Sequence, residues 1–281
     1  LTEKSQGVLS CHFASTVTVP DSIVLLLREN MTNPFQKHGI EHLSPSTCNL
    51  FTSSPATFVM KKCLKMSSPV GPAAYRGTAV EDGVAHGLFD LSAPLAECTK
   101  IALDKFNALA SFISGEKVDK ERKAIPDMVE MGLRELRSYG TPSSAQGAIT
   151  LNFDGLLVPM IGFYDFEWEQ HGMLTDLKTS HALPSKISHP HARQVALYRA
   201  ARGDNLSARV TYITPKKHAT YALENAREHV EALGKIGMTI QRFLSLSDDP
   251  KELASFVAPD TESFYFNDPV SRQQAFEIWG I

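Results

Sequence analysis

The stretch Leu174–Ser180, "LTDLKTS", sets an acid and a lysine two residues apart inside an apolar, β-prone run. Side chains two apart on a strand project from the same face. Asp176 and Lys178 therefore stand side by side, with Leu174 and Ser180. Thr175, Leu177 and Thr179 occupy the other face. The stretch reads as one of three successive strands, "GAITLNF", "LLVPMIGFYDFEW" and "GMLTDLKTS", with turns at Asp154-Gly155 and His171-Gly172. "SHPHARQVALYRAARG" follows as a helix, with Ser188 as cap, Pro190 in the first turn and Gly203 as stop. "ARVTYIT" is a fourth strand.

Helices flank this core. "LSPSTCNLF" reads as a helix start, capped by Ser44 or Ser46 with Pro45 at an early position, running to about Cys63. Further helices are expected at about 73–89, 92–113 and 125–139. The last of these has Pro126 in its first turn and Met128, Val129, Leu133 and Leu136 as its apolar stripe. A long helix is expected at about 222–246. A final one is capped by Asp268 and begins at Pro269. The class is α/β, a mixed central sheet flanked by helices with helical N- and C-terminal additions.

The chain has 281 residues, 43% hydrophobic and 21% charged, with a formal net charge of −3. Such a balance does not advertise a nucleic-acid partner, yet it leaves room for a local basic groove. Basic residues cluster at Lys61, Lys62 and Lys65, at Lys117, Lys120, Arg122 and Lys123, at Arg193, Arg199 and Arg202, and at Lys216 and Lys217. Solvated faces account for such clusters in most proteins. The four cysteines, Cys11, Cys48, Cys63 and Cys98, form no C-x-x-C pair. Free thiols in a reducing, cytoplasmic setting are expected, and neither a zinc knuckle nor an iron–sulfur cluster. The apolar run "SIVLLL" is too short to span a bilayer, and the first residues lack the pattern of a signal peptide.

Four features point at one site. Asp176 and Lys178 share a strand face. Asp165, in "GFYDFEW", comes near Asp176 if the two strands pair through His171-Gly172. "RGTAVEDGVAHG" offers Glu81 on a helix, with the small residues Gly77 and Ala85 one turn to either side. "QVALY" sets Gln194 and Tyr198 four apart on one helix face. Taken singly, each has an ordinary explanation: a surface ion pair, a strand-end acid, a solvated helix residue, a core-edge pair. Together, clustered carboxylates repel and call for protonation or a cation. An oxygen-only set suits Mg²⁺ or Mn²⁺. Lysine beside such an ion can stabilise developing negative charge.

The order of these elements resembles the PD-(D/E)XK nucleases, in their RecB-like and lambda-exonuclease (YqaJ-type) branch, over roughly 43–215. "LSPSTCNLFTSSPATFVMKK" is similar to the family's opening helix. "RGTAVEDG" is similar to the helix of the first ligand. "GFYD", "DLK" and "QVALY" are similar to the core acid, the E/D-x-K element and the Q-x-x-x-Y element. The resemblance implies a restriction-endonuclease-like core and Glu81, Asp165, Asp176 and the Leu177 carbonyl as ligands of one or two Mg²⁺ or Mn²⁺ ions. Lys178 becomes the catalytic lysine, and Gln194 and Tyr198 become active-site residues. Glu81, where many RecB-like members have His, looks more like the lambda-exonuclease branch. Ser54 stands where cluster-binding members carry Cys, so no iron–sulfur cluster is implied.

The resemblance further implies a DNA exonuclease of recombination, repair or DNA processing, in a bacterial or phage-infected cytoplasm, with DNA and a single-strand-annealing or recombination protein as partners. A structure- or sequence-specific endonuclease and a degenerate DNA-binding subunit are the alternatives. Ser44, Ser46, Arg76, Arg193, Lys61 and Lys62 are candidate DNA contacts by position. "SFYF", Ser263–Phe266, could stack on unpaired bases, although core packing is the simpler reading. The whole chain is expected to be one nuclease domain. It comprises an extension at 1–42, a core at 43–215 with a helical insertion at about 92–140, and a C-terminal helical extension at 216–281.

Overall fold

In the computed structural model, the residues described are 33–203 and 205–281. Cys11, the apolar run at 22–27 and most of the expected N-terminal extension lie outside them. Five strands form one sheet in the order β1 (Ser144–Leu151), β2 (Met160–Trp168), β3 (Met173–Thr179), β4 (Ser207–Ile213), β5 (His218–Ala222). Neighbours are antiparallel except β3 and β4, which run parallel. A parallel pair needs a crossover, and helix His189–Arg202 supplies it.

β3 lies at the centre of the sheet, so both of its faces are covered. Leu174 packs into one apolar core with Val195, Leu197, Leu233 and Ile240. Leu177 packs into the other with Val80, Val84, Met128 and Val129. The alternation expected from "LTDLKTS" is the alternation observed. Gly172 takes the left-handed conformation (φ 53°) that closes the β2–β3 turn.

Helices α1 (Pro34–Lys37), α2 (Pro45–Ser53) and α3 (Pro55–Phe58) precede the sheet, and a π-turn at Val59–Cys63 follows α3. The single helix expected from 44 to 63 is broken at Ser54. Pro55 cannot donate to the preceding turn, and Ser54 caps a fresh helix by accepting from Thr57 N at 3.3 Å. Next come α4 (Pro72–Phe89), α5 (Leu95–Leu109) and α6 (Glu116–Leu136). Helix α6 begins well before the expected 125, so Pro126 lies in its interior rather than its first turn. The early turns are highly charged, but Val118, Glu121 and Ile125 follow helical spacing and are buried.

The crossover helix is α7. Beyond the sheet lie α8 (Ala226–Leu244), α9 (Pro250–Ser255), a 3₁₀ turn at Phe264–Phe266, and α10 (Pro269–Trp279) with its Asp268 cap. Strand β5 and helix α9 were not expected. Since β5 pairs with β4, the segment after 215 is not purely helical and contributes an edge of the sheet. "SFYF" divides: Phe266 is buried, whereas Phe264 is 82% exposed, so core packing holds for only part of the motif. Cys48, Cys63 and Cys98 are buried free thiols, and burial pushes the first two up to about 12. Among the described residues, no helix is long and apolar enough to cross a membrane.

Candidate active site

Asp176 is fully buried at the middle of the sheet. Its Oδ1 accepts a hydrogen bond from Gln194 Nε2 at 2.9 Å, across from α7. Lys178 Nζ lies 2.5 Å from the other oxygen, Oδ2, as an ion pair. That oxygen is buried and receives no hydrogen bond of proper angle. Gln194 Nε2 also donates to Tyr198 Oη at 2.7 Å, and Tyr198 Oη donates to the Phe163 carbonyl at 2.5 Å. The Q-x-x-x-Y spacing thus ties α7 to β3 and to β2. Burial, with Asp176 nearby, pushes the Tyr198 phenol up, so it stays a neutral donor. Gly162 makes the approach possible: a Cβ there would meet Tyr198 Cε1 at 2.7 Å.

Asp165 stands on β2 opposite this group. Strand pairing between β2 and β3 runs only from Phe166–Trp168 to Met173–Thr175. Beyond it the strands part, and Asp165 Oδ2 fills the gap by accepting from Leu177 N at 2.6 Å. Burial pushes the Asp165 carboxyl well above its ordinary value, and repulsion from Asp176 and Glu81 pushes it further. Lys178 and the Leu177 N–H oppose the rise. Glu81, on α4, is also raised by burial, with Asp176 adding to it. Its Oε1 accepts from Gln146 Nε2 at 2.5 Å, which works the other way. Burial works against the charge of Lys178, yet Asp176, Asp165 and Glu81 overcome it and hold the ammonium above its ordinary value.

Three carboxylates therefore share the influence of one ammonium, and their mutual repulsion is relieved by protons or by a cation. The donor set is entirely oxygen and suits a hard divalent ion. In this structure, however, the acids are turned to protein donors: Asp165 to Leu177 N, Glu81 to Gln146, Asp176 to Gln194 and Lys178. Among the described residues, no three His, Cys, Asp or Glu side chains stand close enough to hold an ion without rearrangement. The expected three-acid cluster is assembled as neighbours but not as a formed coordination sphere. The mutual repulsion of Asp165, Glu81 and Asp176, met by the single ammonium of Lys178, fits a cation.

Some neighbours carry no sequence signal. Gln146 comes from β1 at φ 51°, a left-handed backbone inside a strand. His191 Nδ1 lies 2.7 Å from Tyr212 Oη, and burial and Lys178 lower its pKa. Arg76, a candidate DNA contact, is instead buried. It pairs with buried Glu121 of α6 and donates to the Thr179 carbonyl at 3.2 Å and to Thr179 Oγ1. His181 Nε2 sits 3.0 Å from the same Glu121. Arg76 thus pins the end of β3 rather than offering a free cation. Gly77 abuts Thr179, though a Cβ there would lie at an ordinary 3.5 Å, so glycine is not required for the approach.

Ser44 caps α2, accepting from Thr47 N, and its Oγ lies 2.8 Å from Ser46 Oγ. Arg193 Nε donates to Asn49 Oδ1 at 2.7 Å, linking α7 to α2. Lys61 and Lys62 lie on the π-turn, half-exposed.

No curated protein matches the sequence. Among solved structures, a candidate exonuclease from Eubacterium rectale is similar at a TM-score of 0.53 and 14% identity, covering 85% of this chain and 91% of that one. That likeness concerns the fold. A second structure, SSO0001, is similar at a TM-score of 0.31 and 14% identity, over 66% of this chain and 84% of the other. The model of the PD-(D/E)XK nuclease superfamily matches residues 42–272, a span that takes in all five strands and every acid described above. By that match, the chain belongs to the PD-(D/E)XK nuclease superfamily.

Proposed function

We propose that the protein is a divalent-metal-dependent DNA exonuclease, of the RecB-like and lambda-exonuclease branch. The observation that carries the reading is the meeting of Glu81, Asp165, Asp176 and Lys178 around the centre of the sheet, braced by Gln194 and Tyr198. Nuclease activity is supported by the family; the end-dependent mode is inferred from Glu81, whose position resembles the first-ligand position of the lambda-exonuclease branch. Glu81, Asp165, Asp176 and the Leu177 carbonyl would hold Mg²⁺ or Mn²⁺, as one or two ions. Such an ion, when bound, activates water and offsets charge on a phosphoryl oxygen.

The chain's own residues do the rest. Lys178, held protonated by its acidic neighbours, supports the negative charge that develops on the phosphate as the bond to water forms. Gln194 fixes the rotamer of Asp176, and Tyr198 fixes Gln194 by anchoring it to β2. Arg76 and Glu121 hold the backbone next to Lys178. Residues 43–222 form the nuclease core in this proposal, with α5 and α6 as its helical insertion. A single-strand-annealing or recombination protein as partner belongs to the same proposal.

The test is digestion of end-labelled linear DNA and covalently closed circular DNA, single- and double-stranded, with Mg²⁺. Loss of linear DNA alone is the expected result. Equal cutting of closed circles would replace the exonuclease by an endonuclease. Intact DNA throughout would leave only a binding role.

A further inference from the structure

The start of α4, the start of α6 and the 3₁₀ turn before α10 line a cleft of about 400 Å³. Its size is that of a small-ligand site, roughly 300–1,000 Å³. Apolar walls come from Val70, Ile113 and Phe264, and charge comes from Lys61 and Lys117. Phe264 is 82% exposed and Val70 54%; Phe112, next to Ile113, is 98% exposed. Large apolar side chains gathered at one place on a surface mark a contact site rather than the ordinary scatter of exposed residues.

The electrostatics of the cleft favour an anion. Two of the three helices that begin at it are capped by glycine, Gly71 for α4 and Gly115 for α6, and neither cap offers a side-chain acceptor. The first turn of α6 carries Glu116 and Asp119, which offset its dipole, so the positive charge of the cleft rests on Lys61 and Lys117. Among the described residues, Asp268 is the one acid in the lining, and its carboxylate is engaged as the α10 cap, accepting from Ser271 N at 2.8 Å, so the two lysines outweigh it. A ligand with a flat apolar body and a negative charge satisfies both halves of the cleft. An unpaired nucleotide has that form, with a base for Phe264 and a phosphate for Lys61 and Lys117.

We infer that this cleft binds an unpaired segment of the DNA substrate, with a base stacked on Phe264 and the adjoining phosphate held by Lys117 and Lys61. Pro72 at the cleft and Glu81 at the candidate active site lie on one helix, nine residues apart. That is about 13–14 Å along the axis at 1.5 Å per residue. A few nucleotides bridge the distance, so the cleft sets the path of a single strand to or from the acids. The inference rests on DNA being the substrate.

The experiment measures binding of the full chain in EDTA to a fluorescent single-stranded oligonucleotide, an abasic copy of it and a blunt duplex. Phe264→Ala, a change at an exposed position that leaves the fold alone, is expected to weaken single-strand binding at least about fivefold. The effect should vanish on the abasic strand and stay below about twofold on the duplex. Lys117→Ala should lower the slope of log affinity against log salt by about 0.7, the loss of one phosphate contact to a single strand. Unchanged affinity in both variants overturns the inference, whether an acidic peptide or a second copy of the chain fills the cleft instead. Absence of single-strand binding by the unaltered protein overturns it too. Binding that behaves as expected in a protein that cuts no DNA with Mg²⁺ supports the cleft and sinks the nuclease reading.

Discussion

Replacing Asp165 by asparagine should make the metal-free protein more stable and the enzyme nearly inactive. Asparagine keeps the shape of the side chain and an oxygen for Leu177 N–H, and removes the charge. The fold raises the Asp165 carboxyl well above its ordinary 3.8, by burial and by Asp176 and Glu81, so the neutral form is the one the fold prefers. Between the ordinary and the raised value, the folded chain holds more protons than the unfolded one. Stability therefore falls as pH rises through that window, and the penalty is absent below 3.8. Asparagine is neutral at every pH and escapes the penalty. Each unit by which the fold raises that pKa is worth about 1.4 kcal/mol to a side chain that is always neutral, and the bond from Leu177 N–H, stronger to a carboxylate than to an amide, offsets part of it, so a net gain of about 1 kcal/mol is expected. About 1 kcal/mol corresponds to a melting shift of roughly 2–4 °C in a chain of this size. Thermal melting of both proteins in EDTA from pH 4 to pH 9 tests this: the Asp165→Asn advantage should be present at pH 8, shrink as pH falls and disappear towards pH 4. Cleavage with Mg²⁺ should fall at least about 100-fold, the scale of losing a charge-stabilising group. A variant that melts lower than the parent at pH 8 would refute the reasoning, since Asp165 would then be a satisfied charge and not a repelled one.

Lys178→Ala should reduce single-turnover cleavage by at least about 100-fold, on the order of 3 kcal/mol, while the melting shift produced by added divalent ion persists; a parental rate at saturating metal would remove Lys178 from the chemistry. Mg²⁺ and Mn²⁺ should support cleavage and Ca²⁺ should support DNA binding with little cutting, because Ca²⁺ takes looser coordination and activates water poorly; full activity in excess EDTA contradicts this. Gly162→Ala forces a Cβ to within 2.7 Å of the Tyr198 ring. It should cost about 1–3 kcal/mol of stability and slow cleavage by displacing the Tyr198–Gln194–Asp176 chain; unfolding curves that superimpose on the parent's would show that Tyr198 can move freely.

The core of this site was legible because it obeys short periods. Asp176 and Lys178 are two apart on a strand, Gln194 and Tyr198 four apart on a helix, and both spacings translate directly into shared faces. Strand β5 was missed because "HATYA" is five residues long and partly exposed at the sheet edge, so neither alternation nor a continuous apolar run marks it. The early turns of α6 were missed because one of the positions on their buried stripe is Glu121, and its partner Arg76 lies on another helix. Charge in a core is intelligible only once the pairing is known. Gln146 could not have been found at all: its approach to Glu81 depends on β1 lying beside β2 and on a backbone angle that glutamine rarely adopts.

The turning of each acid towards a protein donor has a consequence for how the site is switched on. Gln146, Leu177 N–H, Gln194 and Lys178 act as place-holders that keep three negative groups apart. On the metal-dependent reading, an arriving ion exchanges with at least some of them, so its apparent affinity is its intrinsic affinity reduced by the cost of that exchange. At Gln146 the cost is partly prepaid, since its left-handed backbone stores roughly 1–3 kcal/mol that a change of conformation can release. If the protein is the metal-dependent nuclease proposed above, the concentration of free ion around it sets what fraction of the molecules is competent to cut.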